Sequence, residues 1–143
     1  MHTPTQLVTE LLDAMNTRQL DKIRHLVTDD FVDHGSPVPL PPGPDGYIAI
    51  LTFVTSVLQV RYEVDDVISD GDTVALRATA NGVNAVSPQG IAATGRPFAM
   101  KTAHFFRCRD GRLCAHWGIR DELDVLYQVG ALAPPALPMP APG

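Results

Sequence analysis

Phe98-Ala99-Met100-Lys101-Thr102-Ala103-His104-Phe105-Phe106-Arg107-Cys108-Arg109, then Asp110-Gly111, then Arg112-Leu113-Cys114-Ala115-His116-Trp117-Gly118-Ile119-Arg120, is the stretch that decides the fold. Two long alternating runs flank Asp-Gly, a dipeptide that accepts positive φ at both central positions of a tight turn, so the reading is an antiparallel hairpin. A regular two-residue turn sets Arg109 opposite Arg112. His104 then faces Trp117, Phe106 faces Ala115, Cys108 faces Leu113 and Thr102 faces Ile119. Phe98 and Met100 share that apolar face by alternation, with His104 embedded in it. The opposite face carries Lys101, Arg107, Cys114, His116 and Arg120 beside Phe105. A bulge would shift these pairings by one and exchange the partners.

Upstream, the same period-2 signal continues. Arg61 to Ser69 ends at the turn signal Asp70-Gly71-Asp72, and Thr73 to Val86 alternates, with Val74, Leu76 and Ala78 on one face and Arg77, Thr79 and Asn81 on the other. A Gly- and Pro-bearing loop is expected over residues 87–97. Before Arg61 the period is helical. Thr3-Pro4-Thr5-Gln6 is a capped start, followed by the stripe Leu7, Val8, Leu11, Leu12 and Met15. A second, shorter helix is expected with Leu20, Ile23, Leu26 and Val27 inward, and a third from about Asp45 to Leu58 with Tyr47 on its buried side. Residues 35–46 hold five prolines and three glycines, so they form a stiff loop, of the length that often lines a binding site. A short helix from Asp121 to about Val129 follows the hairpin. The expectation is therefore an α+β domain: three N-terminal helices packed on a strongly curved, mostly antiparallel sheet, because long strands coil around what they cover. One domain spans 1–132, and the Pro-rich residues 133–143 read as a disordered tail.

Composition narrows the function. The net charge is −5, with Lys and Arg scattered, which argues against a nucleic-acid surface. No 18-residue apolar run and no secretory leader pattern is present, so the expectation is a cytoplasmic protein with no membrane partner. Cys108 and Cys114 match no zinc spacing and read as reduced thiols. No histidine pair joins Asp or Glu at metal-ligand spacing, and no phosphate-binding or dinucleotide motif occurs, so no metal and no cofactor are expected.

His104 on an apolar strand face reads either as a core histidine satisfied by its neighbours or as a group placed for proton transfer. His34, at the start of the proline-rich loop, is either a solvated polar group or a residue at a pocket mouth. Asp121 is an N-cap of the last helix that could also face a pocket. His2, His25 and His116 read as terminal or surface residues.

Thr94-Gly95-Arg96-Pro97-Phe98, His104-Phe105-Phe106-Arg107, Asp110-Gly111-Arg112-Leu113, His116-Trp117, Asp121 and Gln128-Val129-Gly130 together resemble the SnoaL-like polyketide cyclase family, of the nuclear-transport-factor-2-like superfamily. Phe31-Val32-Asp33-His34-Gly35 resembles its earlier segment, and the likeness runs over residues 5 to 132. The resemblance implies a cone-shaped α+β roll around a deep hydrophobic pocket, commonly a homodimer, with a small-molecule substrate. In the family's cyclases a carboxylate removes a proton alpha to a carbonyl and a histidine holds the enolate, without metal or cofactor. His104 matches that histidine. The family's aldol cyclases carry their aspartate two residues after the position of His116, where this chain has Gly118. Asp121 matches a second acidic residue, and related ketosteroid isomerases carry a carboxylate base near the position of His34.

The sequence thus points to a cofactor-independent cyclase or isomerase acting on a polyketide-like or aromatic carbonyl compound. His34 or Asp121 would accept the proton and His104 would hold the enolate, with Tyr47, Phe53, Met100, Phe106 and Trp117 lining the pocket. Two other readings stand beside it. One is a non-catalytic small-molecule binder. The other is an epoxide hydrolase, whose Asp-Arg-Asp cluster Arg77 and Asp121 would supply in part.

Overall fold

The computed structural model describes residues 2–84 and 93–142. The loop expected over 87–97 lies largely outside the described residues. Helix α1 (Pro4–Asn16) starts on a reciprocal cap: the Gln6 amide donates to Thr3 Oγ1, and the Thr3 amide donates to Gln6 Oε1. Its stripe of Leu7, Val8, Leu11, Leu12 and Met15 is buried. Helix α2 (Pro44–Thr52) follows the proline-rich loop, and strands β2 (Arg61–Asp70), β3 (Thr73–Val83), β4 (Pro97–Arg109) and β5 (Arg112–Arg120) build the meander. The short helix α3 (Glu122–Gln128) is the last regular element, and residues 133–142 are exposed without regular structure.

Two helical expectations are corrected. The second helix is only a 3₁₀ turn, Leu20–His25, after which the chain becomes a strand, β1 (Val27–Asp33). β1 pairs in parallel with β5, giving the sheet order β1-β5-β4-β3-β2. Its alternation is broken between Val27 and Val32, where Thr28, Asp29 and Asp30 intervene, so no clean period-2 signal marked it. The third helix stops at Thr52 and loosens into a π turn, Phe53–Val57. β-Branched Val54, Thr55 and Val57 crowd that turn, and Thr55 Oγ1 donates back to the Leu51 carbonyl, a bond that bends helices.

The largest correction concerns register. Asp110 and Gly111 both have positive φ, as a type I′ turn requires, and Cys108 pairs with Leu113 as expected. A bulge at Cys114 then adds one residue to β5. Beyond it Phe106 faces His116, His104 faces Gly118 and Thr102 faces Arg120, while Trp117 pairs with Phe105 on the opposite face. The inner face of β4 and β5 therefore carries Thr102, His104, Phe106, His116, Gly118 and Arg120. His116, expected on the surface, is buried.

Burial along that face runs in one direction. Phe106, Cys108 and Leu113 near the hairpin turn are buried in the main core with Leu7, Leu11, Phe31 and Val74. Toward the other end of the strands, Phe98, Met100, Gly118 and Arg120 are only half-buried. Among the described residues, the roll is sealed at the hairpin end and open at the end bearing Met100 and Arg120.

Candidate functional site

At the floor of the open end, one chain of hydrogen bonds joins β1, β5, β4 and β3. The Asp33 carboxylate meets His116 Nδ1 at 2.6 Å, and His116 Nε2 meets His104 Nδ1 at 2.9 Å. His104 Nε2 meets Thr102 Oγ1 at 2.9 Å, and that hydroxyl donates to the Ala78 carbonyl. A carbonyl cannot donate, so the single hydroxyl hydrogen of Thr102 is spent there. His104 Nε2 must therefore be the donor to Thr102, which leaves Nδ1 of the neutral ring as an acceptor. His116 Nε2 must then donate to His104 Nδ1. One further proton bridges His116 Nδ1 and Asp33, so the pair shares it and is neutral as a unit.

Electrostatics agree with this assignment. Burial, then the positive charges of His116 and Arg120, push His104 down from 6.5 to about 3, so it is neutral over the physiological range. Burial by itself raises Asp33. The hydrogen bond and charge of His116, the Gly35 amide and Arg120 outweigh it and hold the carboxyl below the usual carboxylate range. Two phenols complete the floor. Tyr47 packs on Phe31 at 4.5 Å between ring centres, and Tyr62 meets the His104 ring edge-on at 5.6 Å. Burial raises both, Tyr47 well above 10. Tyr62 is held by α1: Asn16 Nδ2 donates to its carbonyl and Asn16 Oδ1 accepts from its amide.

The turn after β1 is drawn tightly over β5. Asp33 Oδ1 also accepts from the Gly35 amide, and the Gly35 carbonyl accepts from Arg120 Nη1 at 2.8 Å. A side chain at Gly35 would stand 2.7 Å from the Gly118 amide, so only glycine allows this approach. At Gly118 the inner face is closely packed, and a side chain would need its neighbours to give way. A carbon at the Cβ position would sit 3.4 Å from Arg120 Nη2, 3.4 Å from His104 Nδ1 and 3.2 Å from His116 Cε1.

The residues singled out from the sequence separate into two groups. His104, Phe106 and Tyr47 are buried on the inner side, and Met100 stands half-buried at its open end. His34 and Trp117 are brought together elsewhere: they stack at 4.9 Å, exposed, and Arg107 lies 5.5 Å over the indole. Trp117 does not face His104, because the bulge turns it outward. Phe53 is exposed on the π turn. Asp121 is exposed and caps α3, accepting from the Asp124 amide. Arg77 pairs with Asp66 at 2.6 Å and stands exposed, away from Asp121's cap, so the partial epoxide-hydrolase cluster is not assembled. Asp33, Thr102, His116, Arg120 and Tyr62 were missed. The signal for His116 and Arg120 was the possibility of a bulge, and for Asp33 it was the alternation of a strand not recognised.

Among the described residues no group of three or more His, Cys, Asp or Glu side chains is placed to hold a metal ion. No described helix is long and apolar enough to cross a membrane. Two open hollows of about 630 and 500 Å³ lie elsewhere, one around Thr28, Asp30 and Arg109 and one along α1, and neither touches the histidine chain.

The Gln128 side chain explains the Gln-x-Gly motif. Its amide donates to the Ala99 carbonyl and its oxygen accepts from the Ala99 amide, fastening α3 to β4 like one more rung of the sheet.

Comparison with known proteins follows the same lines. Wild-type IdmH of Streptomyces antibioticus, described as a candidate polyketide cyclase, is 32% identical, with a TM-score of 0.76 over 90% of this chain and 99% of its own. TsrD of Streptomyces laurentii is 27% identical, with a TM-score of 0.77 over 90% of this chain and 95% of its own. AclR of Streptomyces galilaeus, described as a candidate hydroxylase, shares the fold at 21% identity, with a TM-score of 0.74 over 94% of this chain and 88% of its own. No curated protein matches the chain. The profile of the SnoaL-like polyketide cyclases matches residues 5–129, and the chain belongs to that family.

Proposed function

We propose that the protein is a cofactor-independent cyclase or isomerase that converts a polyketide-like or aromatic carbonyl compound through an enolate, using His104 backed by His116 and Asp33. The observation that carries this reading is the hydrogen-bonded chain from Asp33 to Thr102, because it stores one mobile proton beneath the open end of the roll. The cycle needs no net proton. His104 Nε2–H donates to the carbonyl oxygen as that oxygen becomes an enol hydroxyl, the stored proton moves one place along the chain so that His116 protonates His104 Nδ1, and the emptied Nε2 takes the proton leaving the α-carbon. Catalytic hydrogen bonds of this kind rearrange when substrate binds, so the bond of His104 to Thr102 is the one to open. His34 and Asp121, exposed in the free protein, reach the α-proton only if substrate brings the outer rim inward; the internal chain accounts for the transfer without them. Arg120, half-buried on the same face, supplies fixed positive charge to the enolate.

The test is wash-in of deuterium at the α-carbon of aromatic β-keto esters, followed by NMR. Removing a preorganised donor to a developing oxyanion costs roughly 10²–10³ in rate in other enzymes. His104→Ala is expected to slow exchange on that order while the fold is retained. Exchange at the wild-type rate in the variant contradicts the proposal.

A second reading is a binder without turnover. It is favoured by one observation: each nitrogen of His104 and His116 already has a protein partner, as in a satisfied core network. Binding of the same esters with no exchange above solvent background supports it. The chain would act as a homodimer, a reading supported by the exposed outer strip of Phe105, Trp117 and Ile119, and checked by sedimentation equilibrium.

A further inference from the structure

Two hydroxyls on the inner side have no part in the relay. The Tyr47 ring centre lies 6.1 Å from that of His116, and the Tyr62 ring centre lies 5.6 Å from that of His104. The two imidazoles are themselves 5.1 Å apart, so the phenols flank one short stretch of the floor. Burial raises both phenols, so each keeps its proton and stays a donor at neutral pH. Asp33 and Arg120 act on both hydroxyls as well, in opposite directions, and Tyr62 acts on Tyr47. Shared neighbours of this kind put the two hydroxyls in the same region of the roll.

A buried tyrosine hydroxyl ordinarily has a partner. Tyr47 is only 3% exposed, yet among the described residues neither its hydroxyl nor that of Tyr62 bonds to protein. Neither oxygen is sealed in. Thr28 Oγ1 is the one described side-chain atom that is both fully enclosed and unpartnered. The two phenols are also held in place: Asn16 bonds the amide and the carbonyl of Tyr62, and the Tyr47 ring packs on Phe31 at 4.5 Å. Donors ordered in advance cost little to engage when a ligand arrives. Their number bears on what that ligand is. A carbonyl oxygen has two lone pairs, whereas Tyr47, Tyr62 and, once its bond to Thr102 opens, His104 bring three donors. One oxygen cannot satisfy all three. The third donor rests on the function proposed above; the two phenols do not.

We propose that Tyr47 and Tyr62 are specificity-determining residues whose hydroxyls donate to a ligand oxygen other than the one that meets His104. The ligand class is a compound with at least two carbonyl oxygens. The phenols select through what a poorer ligand leaves unpaired. An analogue with one carbonyl strands a buried donor, and sites built on hydrogen bonds reject such analogues more strongly than apolar pockets reject a missing methylene. Since neither hydroxyl bonds to protein, removing it leaves the fold intact. That separates a ligand-reading role from a structural one.

The experiment uses the full chain and two probes of nearly equal shape, 1,3-diacetylbenzene and 3-ethylacetophenone, with binding followed by NMR titration. The second probe is the more apolar, so a pocket that reads only apolar surface prefers it. The wild type is expected to bind the dicarbonyl about tenfold tighter, the worth of one well-made hydrogen bond. Tyr47→Phe and Tyr62→Phe are each expected to reduce that ratio, and the double variant to reverse the order of the probes. Urea midpoints of both single variants should match the wild type. Equal binding of the two probes by the wild type means that water satisfies the phenols, and overturns the proposal. A dicarbonyl preference that survives in the double variant overturns it too. So does a preference lost together with stability, since that assigns the hydroxyls to the fold. Failure here with deuterium exchange still dependent on His104 leaves the proposed function standing; a dicarbonyl preference without exchange leaves the phenols as ligand readers and removes the catalysis.

Discussion

The two faces of the β4–β5 hairpin differ more than their sequences suggest. On the inner face, Thr102, His104 and His116 are buried and every polar atom of the chain they form has a partner. On the outer face, Phe105, Trp117 and Ile119 are exposed, with Arg107 over the indole. On β5 the polar His116 and Arg120 are inside and the apolar Trp117 and Ile119 outside, the reverse of what a regular hairpin would produce. One extra residue at Cys114 causes this exchange, since a shift of one position moves every later side chain to the other face. The lesson is that a bulge places function here: it turns a surface histidine into the centre of a relay.

Deleting Cys114 and Ala115 together is the strongest way to break the comparison. It leaves a regular hairpin in which His116 pairs with Arg107 and Trp117 with Phe106, driving Trp117 inward and His116 outward, and is expected to destabilise the protein by more than about 4 kcal/mol or prevent folding, the range reserved for burying mismatched groups. Chemical denaturation checks it. A double deletion as stable as wild type would mean that the inward placement of His116 is incidental.

Asp33→Ala leaves the His116 ring buried without its carboxylate. Breaking one side of a buried pair costs about 3–5 kcal/mol, and urea unfolding measures it. Trp117→Ala on the outer face, by contrast, should cost the isolated chain about 1–2 kcal/mol, since the indole is only partly buried. Near-equal losses for the two would contradict the division of the faces.

Acid offers a graded version of the same test. An unfolded imidazole takes up its proton near 6.5, but folded His104 does so only at about 3. Between those values the unfolded chain binds more protons, so stability falls as pH drops through that window, by up to about 1.4 kcal/mol per unit. Asp33 acts in the same direction: its folded carboxyl lies below 3.8, so its contribution holds above that value and is lost as pH falls through the folded one. The His104→Gln variant should flatten the slope between pH 6.5 and 4 in denaturation series; an unaltered slope would place the acid sensitivity elsewhere. Thr102→Val leaves His104 Nε2–H unpaired for about 1–3 kcal/mol. A stability loss well below that range would show that water replaces the hydroxyl.

Much of the fold was legible because its signals are local. The Thr3 cap, the α1 stripe and the Asp110-Gly111 turn all state their geometry within a few residues. The strand β1 was not legible, since Asp29 and Asp30 interrupt its alternation and its partner β5 lies some eighty residues away. The site was legible only in part for the same reason. His104 stood out as a polar residue in an apolar run, but its partners are fixed by the bulge and by β1, both of which are non-local. His34 drew notice where its neighbour Asp33 mattered, because adjacent strand residues point to opposite faces.

The central claim is the direction of the proton in the His116–His104 bond. Side-chain ¹⁵N NMR with selectively labelled histidine measures it, through the scalar coupling across N–H···N. The structure requires coupling between His116 Nε2–H and His104 Nδ1, with His104 neutral, protonated at Nε2 and unchanged on acidification until well below pH 5. A His104 that carries its proton at Nδ1, or titrates in the ordinary histidine range, would contradict the account.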